Sequence, residues 1–234
     1  MITPSVLHLT FARVDNLPLV FKAGQFITFL LLHESGRTIR RSYSLANCPE
    51  QSYELEIAVA PVYEGFATKI LFNLKYGDEL LCVGPQGRLI IKNEEAAHHV
   101  LVATGTGLAP YRSMLSTIAR RIENHQFFKA TVLLGVRYVV DLLYVDEFLE
   151  YAQKYERFNF HAYLSREKTL AQPYQHPGYV QSAFDTLDLN PDVDLVYLCG
   201  NPYMIDESMD QLQKMGFGSH SIRREKYTSL RVVS

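Results

Sequence analysis

In Ala103-Thr104-Gly105-Thr106-Gly107-Leu108-Ala109-Pro110 an apolar strand turns through glycine and becomes a helix. Glycine at such a turn lets backbone amides come close to a pyrophosphate, and the helix N-terminus directs partial positive charge toward it. Pro110 suits the first helical turn, where an amide donor would have no partner anyway. The spacing differs from Gly-x-Gly-x-x-Gly, so by itself the turn fits a tight strand-to-helix connection equally well.

On the C-terminal side of the polar Lys92-Asn93-Glu94-Glu95, apolar strands alternate with helical segments, the pattern of a parallel sheet with crossover helices. Strands are expected near 98–104, 130–136, 158–164, 194–199 and 220–226, and helices near 109–124, 144–155, 179–186 and 202–215. On the N-terminal side the segments are short, alternating and broken by Gly, Pro and Asn. Phe26-Ile27-Thr28-Phe29-Leu30-Leu31-Leu32, Tyr53-Glu54-Leu55-Glu56-Ile57-Ala58-Val59 and Glu79-Leu80-Leu81-Cys82-Val83 are examples. That half is expected to be an antiparallel barrel or sandwich, with one helix over Gly65 to Leu74 bridging two strands. The boundary falls near residue 95, giving domains 1–95 and 96–234.

Composition narrows the function. With 234 residues and 47% hydrophobic content the chain can bury a sizeable core, as one large domain or two of about 100–130 residues. A formal net charge of −2 points to neither a nucleic-acid backbone nor an anionic membrane surface. Any charged docking patch must therefore be local. No run approaches the roughly 18 apolar residues that span a bilayer, and Met1-Ile2-Thr3-Pro4-Ser5 is not expected to open a signal segment. Cys48, Cys82 and Cys199 are widely spaced and odd in number. They read as thiols in a reducing, cytoplasmic compartment, and they are too few for an iron–sulfur cluster, which usually takes four thiolates.

In the first half, Arg41-Ser42-Tyr43-Ser44 sets a cation, an aromatic ring and a hydroxyl on a strand, a set that can serve one ligand with a phosphate, a ring and a heteroatom. An ordinary barrel strand with an exposed arginine fits the same residues. Taken in order, Arg41-x-Tyr43-Ser44, Gly65-Phe66-Ala67-Thr68, Gly77-Asp78 with Gly84-Pro85-Gln86-Gly87, Gly105-Thr106-Gly107 with Pro110, and Cys199-Gly200-Asn201-Pro202-x-Met204-Ile205 are far more specific. In that order and spacing the chain resembles the ferredoxin–NADP reductase superfamily, of the bacterial, FAD-containing type, over essentially its whole length.

The resemblance implies an N-terminal antiparallel FAD-binding barrel followed by a parallel-sheet NAD(P)-binding α/β domain. It implies that Arg41 holds the flavin dinucleotide's pyrophosphate, that Tyr43 lies against the isoalloxazine and that Ser44 sits near flavin N5. Gly65, Ala67 and Thr68 would complete the pyrophosphate cradle, and Ala58 would line the flavin. Thr104, Gly105, Thr106, Gly107 and Pro110 would take the nicotinamide nucleotide. Cys199 would face the nicotinamide, with Gly200, Asn201 and Met204 beside it. Arg223-Arg224-Glu225-Lys226-Tyr227 looks like the family's closing Glu-x-Tyr, in which Glu225 lies near the flavin and Tyr227 covers its other face. Many members stop there, whereas here residues 228–234 follow. A bare cysteine at the end of a buried strand is ordinarily a small core residue; the motif around Cys199 argues for more.

In the family, Ser165-Arg166 at the end of the strand Phe158 to Leu164 implies NADP(H), since an arginine fork and a hydroxyl suit a 2′-phosphate and an acid there suits a ribose diol. Glu167 follows directly and could accept a ribose hydroxyl. Tyr179 resembles the residue that stacks on adenine, without the basic residue often found before it. The implied activity is electron transfer between NADP(H) and a one-electron protein carrier, a small acidic ferredoxin or flavodoxin, met by Arg40, Lys69, Lys75, Arg223 and Arg224. The alternatives are an NAD(P)H:flavin oxidoreductase and the reductase component of an oxygenase. A monomer is expected, with no nucleic-acid or membrane partner.

His98-His99 would point to opposite sides of a strand and could not share a metal, so a solvated pair and no metal site are expected. Tyr138, Tyr144, Tyr151 and Tyr155 read as core and surface covering rather than a stacking platform.

Overall fold

The computed structural model describes residues 1–51, 53–91 and 96–228. In the first half, β1 (Leu7–Ala12) pairs antiparallel with β4 (Glu54–Val59), and β2 (Phe26–Leu32) pairs antiparallel with both β3 (Thr38–Ser44) and β5 (Cys82–Gln86). An isolated antiparallel bridge, Leu45 to Ile57, joins the two sheets into one antiparallel wall. Alternation explains the packing: Ile27, Phe29 and Leu31 of β2 and Leu55, Ile57 and Val59 of β4 are buried together against Ala67 and Leu71 of α1 (Phe66–Phe72). The Arg41-Ser42-Tyr43-Ser44 stretch lies on β3 itself, at its C-terminal end.

In the second half six strands run parallel, in the order β11-β10-β6-β7-β8-β9. They are β6 (His98–Thr104), β7 (Lys129–Val136), β8 (Phe158–Leu164), β9 (Gln175–Pro177), β10 (Asp194–Gly200) and β11 (Ile222–Lys226). The helices are α2 (Ala109–Asn124), α3 (Val145–Lys154) and α4 (Pro202–Lys214). One core cluster joins Leu101, Val132 and Tyr197 to α2 and α3, and another joins Val100, Leu133 and Leu198 to Ile205 and Leu212 of α4. Covered on both faces, β6 and β10 are buried almost throughout, which is why their sequences read as continuous apolar runs. Among the described residues no helix is long and apolar enough to cross a membrane.

Three expectations need correction. Residues 180–185 form a 3-10 segment rather than an α-helix. Strand β5 overlaps the stretch Glu79 to Val83 only at Cys82 and Val83 and runs on to Gln86, with a register shift against β2 between Phe26 and Thr28. His98 and His99 do face opposite sides, His98 toward Thr131 and His99 toward Phe128 and Tyr197, but they are not solvated: they are 2% and 0% exposed in a strand with cover on both faces. The expected boundary near residue 95 falls outside the described residues.

Candidate active site

The sheet reverses direction at β6: the chain builds outward through β7, β8 and β9, then returns to lay β10 and β11 on the other side. In open α/β sheets the crevice beyond the carboxyl ends of the strands at such a reversal is where ligands bind. Here that crevice is framed by Gly105-Thr106-Gly107 after β6 and by Gly200-Asn201 at the end of β10. Each glycine answers a different need. Gly105 has φ +51 with nothing within 4 Å of a side chain placed there, so the turn faces open space. Gly107 has no such room: a Cβ would lie 2.4 Å from the Cys199 carbonyl oxygen. The Thr104 hydroxyl accepts a hydrogen bond from the Asn201 amide at 2.9 Å, tying the two turns together. Pro110 is buried in the first turn of α2, and Asn201 caps α4 by accepting from the Tyr203 amide at 2.8 Å.

The barrel meets this crevice through Ser44. Its hydroxyl donates to Glu225 Oε1 at 3.0 Å and shares a 2.6 Å hydrogen bond with the Tyr227 hydroxyl. Tyr227 also bonds the Cys199 thiol, and its amide donates to the Gly200 carbonyl at 2.8 Å. Four residues expected at the site, Ser44, Cys199, Glu225 and Tyr227, therefore converge from β3, β10, β11 and the residue after β11. Burial sets their charge states. It raises the Glu225 carboxyl above the ordinary carboxylate range, opposed by the Ser44 hydrogen bond. It also holds the Cys199 thiol protonated, assisted by the Glu225 charge and opposed by the Tyr227 hydrogen bond. A neutral thiol at 0% exposure is no nucleophile. What this group can do is shape and dry the space where another reaction occurs.

The remaining expected residues lie around this centre. Tyr43 packs its ring 5.8 Å from Phe29, and burial pushes its hydroxyl pKa up to about 12. Arg41 donates to the Arg40 carbonyl at 2.8 Å and has no carboxylate partner among the described residues. Ala58 and Ala67 are buried, and Gly65 precedes α1 where a Cβ would press on Val62. The Thr68 hydroxyl accepts from the Val62 amide at 3.1 Å and closes the turn before α1. Met204 is buried in α4. Ser165 and Arg166 follow β8, two strands or roughly 10 Å from β6, and Tyr179 is 72% exposed nearby. Arg166 has no carboxylate partner among the described residues, and its amide donates to the Arg137 carbonyl at 3.0 Å. Both Glu167 oxygens accept backbone amides, from Val139 at 3.1 Å and Lys168 at 3.2 Å.

An anion-sized demand is thus met in two places: an arginine without an acid on the barrel face, and an open glycine turn at a helix N-terminus in the sheet. These suit a flavin dinucleotide and a nicotinamide dinucleotide. The comparisons agree. Residues 2–91 match the oxidoreductase FAD-binding domain and residues 101–210 the oxidoreductase NAD-binding domain. The ferredoxin–NADP reductase of Azotobacter vinelandii is 31% identical over 89% of this chain and 84% of that protein. This chain belongs to the ferredoxin–NADP reductase superfamily. With its two domains it is an FAD-dependent oxidoreductase. The ferredoxin–NADP reductase B of Sorangium cellulosum is 34% identical over 70% of the chain, which spans 66% of that protein's length. Among solved structures, the Amycolatopsis cytochrome P450 reductase GcoB superposes with a TM-score of 0.85 at 28% identity, over 98% of this chain and 67% of that one.

One residue of this reductase fold escaped the sequence reading. Arg112, in the first turn of α2, bonds Glu56 and the Ala46 carbonyl of the barrel. A cation at a helix N-terminus works against the helix dipole and so implies a nearby acid, a signal that was present in the sequence.

Proposed function

We propose that the chain carries electrons between NADP(H) and a one-electron protein carrier, a ferredoxin or flavodoxin, through tightly held FAD. The observation that carries this reading is the convergence of Ser44 from the barrel with Cys199, Glu225 and Tyr227 from the sheet, across a crevice with an arginine or a glycine turn on either side. FAD supplies the chemistry, accepting a hydride and giving up electrons singly. The chain supplies the geometry. Arg41 holds the flavin pyrophosphate, with Gly65, Ala67 and Thr68 completing the cradle and Ala58 and Tyr43 lining the ring. Thr104, Gly105, Thr106, Gly107 and Pro110 hold the nicotinamide nucleotide, with Gly200, Asn201 and Met204 shaping its far wall. Ser44 and Glu225 hold a proton near flavin N5, and Cys199 with Tyr227 excludes water from the nicotinamide side. Residues 1–95 and 96–234 act as the two domains.

NADP(H) is favoured over NAD(H) because Arg166 is without an acid partner among the described residues and Glu167 is already engaged by two backbone amides. Ser165 and Arg166 then read the 2′-phosphate and Tyr179 covers the adenine. The carrier docks on exposed Arg40, Lys69, Lys75 and Arg224, with Arg223 beside them. A monomer in the cytosol suffices, with all three cysteines kept as thiols. The likeness to GcoB favours a second reading, the reductase component of an oxygenase, in which the same two domains feed a different acceptor.

Anaerobic titration of the yellow protein tests the first reading: NADPH is expected to bleach the flavin at far lower concentration than NADH. Arg166→Ala should raise the KM for NADPH roughly 10- to 150-fold, the value of one charged hydrogen bond of about 1.5–3 kcal/mol, and leave NADH nearly unaffected. A wild type that prefers NADH refutes the nucleotide assignment. Arg41→Ala should weaken FAD binding by a similar factor, and stoichiometric flavin surviving dialysis in that variant would remove Arg41 from the cradle.

A further inference from the structure

We infer that Arg112 is a positioning residue for hydride transfer, fastening the nucleotide-binding helix to the flavin barrel and so setting the gap between the two reacting rings. The inference rests on the reading that a nicotinamide reduces a flavin between Ser44 and Cys199. Arg112 stands in the first turn of α2, five residues after Gly107. Its guanidinium bonds Glu56 on β4 and donates to the Ala46 carbonyl at 3.0 Å, two residues after Ser44. On its own side of the molecule it takes Glu147 of α3 with Nε, at 2.9 and 2.8 Å to the two oxygens. It also lies 4.7 Å from the centroid of the Tyr144 ring. Tyr144 in turn is hydrogen-bonded to His8 of β1 at 2.8 Å.

Burial opposes the charge on Arg112, and the hydrogen bonds it donates to Glu147 and Glu56 more than offset it. Among the described residues the same helix face carries three more ties to the barrel. The Ser113 hydroxyl accepts from the Gly24 amide at 2.8 Å, Ser116 donates to Glu50 at 3.1 Å and Arg120 pairs with Glu50 at 2.6 Å. The Gly24 tie permits no slack, since a Cβ there would lie 1.9 Å from the Leu89 carbonyl oxygen and 2.4 Å from Met114.

Arg112 is the tie nearest the chemistry. A short mechanical path runs from Ser44 through the Ala46 carbonyl to the guanidinium, back along the first turn of α2 to Gly107, and across the close contact to the Cys199 carbonyl. A planar fork with five donors can hold an acid and a carbonyl of the barrel and an acid of α3 at once, which an ammonium cannot. Displacing one reacting ring by 1 Å costs on the order of 100-fold in rate. Loosening Arg112 should therefore slow the hydride step without emptying either binding site.

The test uses the flavin-loaded protein in anaerobic stopped flow, and the flavin-free protein for a distance. For Arg112→Met the limiting rate of flavin reduction by NADPH is expected to fall 10- to 100-fold, while the Kd for NADPH stays within about threefold. The long-wavelength absorbance of the stacked nicotinamide–flavin pair should weaken. Glu56→Gln, which keeps the Glu147 and Ala46 bonds, should move the same way by a smaller factor, and Arg112→Lys should recover part of the rate. In the flavin-free chain carrying Cys48→Ser, spin labels on Cys82 of the barrel and on Asp210→Cys of α4 should give a broader distance distribution in Arg112→Met than without it. A limiting rate unchanged in Arg112→Met overturns the inference, as does an unchanged distance distribution. So does a lower melting temperature with an unaltered rate, which would make Arg112 a structural tie only. A wild type whose flavin neither NADPH nor NADH reduces overturns the underlying reading, and the inference with it.

Discussion

Acidification from pH 6.5 to pH 4 is expected to strip several kcal/mol of stability from this chain. His98 and His99 are buried on opposite faces of the central strand, and burial lowers their pKa values from 6.5 to about 4 and about 3, with Lys129 adding to the shift of His98 and Arg121 to that of His99. The unfolded chain takes up a proton on each ring near pH 6.5, whereas the folded chain refuses it until the pH reaches the depressed values. The lowered folded pKa of a base therefore gives stability that is present above pH 6.5 and lost as the pH falls. Each ring costs about 1.4 kcal/mol per pH unit in that window, so the pair costs on the order of 6 kcal/mol by pH 4. That is comparable with the whole stability of a typical domain, about 5–15 kcal/mol.

The carboxyls of Asp194 and Glu225 act in the opposite sense. Burial raises both, so the folded state takes their protons first and they return part of the loss. Urea unfolding followed by circular dichroism at pH 7, 6, 5 and 4.5 measures the balance. His99→Leu supplies the control. Neither ring nitrogen of His99 has a hydrogen-bond partner among the described residues, so the variant should be at least as stable as wild type at pH 7 and should lose less on acidification. A wild-type profile flat from pH 7 to 4.5 would mean that both rings reach water.

Gly200→Ala is expected to lower the melting temperature by roughly 10 °C and to abolish flavin reduction by either nucleotide, since about 3 kcal/mol of strain and overlap is spread over a chain of this size. Gly200 has φ +121, and a Cβ would stand 2.5 Å from the Thr104 hydroxyl oxygen and 2.7 Å from the Thr104 carbonyl oxygen. Relief must come from separating β6 from β10, which breaks the Asn201–Thr104 hydrogen bond and drags the Gly200 carbonyl away from Tyr227. Gly36→Ala separates strain from overlap, because Gly36 has φ +76 with nothing within 4 Å. It should lose about 1 kcal/mol and keep full activity. Equal melting temperatures for the two variants would show that the crevice yields.

How much of this was legible in the sequence follows the range of the interactions. Strands buried on both faces announce themselves as apolar runs, so β6 and β10 lie within a residue of expectation. The glycine turns are legible because a positive φ at Gly105 and close approach at Gly107 and Gly200 both favour glycine. Strand β9 was missed: Gln175-His176-Pro177 carries no apolar pattern, and only its pairing with β8 makes it a strand. The pairing of Ser44 with Glu225 and Tyr227 spans 181 and 183 residues, so no local period could reveal it, and only the ordered motifs of the family placed those residues together. Arg112 had neither aid. Its partners lie 35, 56 and 66 residues away, and its side chain stands outside the family's ordered motifs.

Strand β11 carries a consequence for how any surface mutagenesis must be interpreted. Among the described residues it is the outermost strand on its side of the sheet, and an edge strand offers one row of backbone donors and acceptors to another chain. Arg223, Arg224, Glu225 and Lys226 fill nearly all of it, and charged side chains on an edge discourage a foreign strand from adding. The same arginines stand where an acidic carrier is proposed to dock. Neutralising them removes a guard against self-association along with an attractive patch. A variant that loses carrier-dependent turnover should therefore be checked for aggregates by light scattering before the loss is credited to docking.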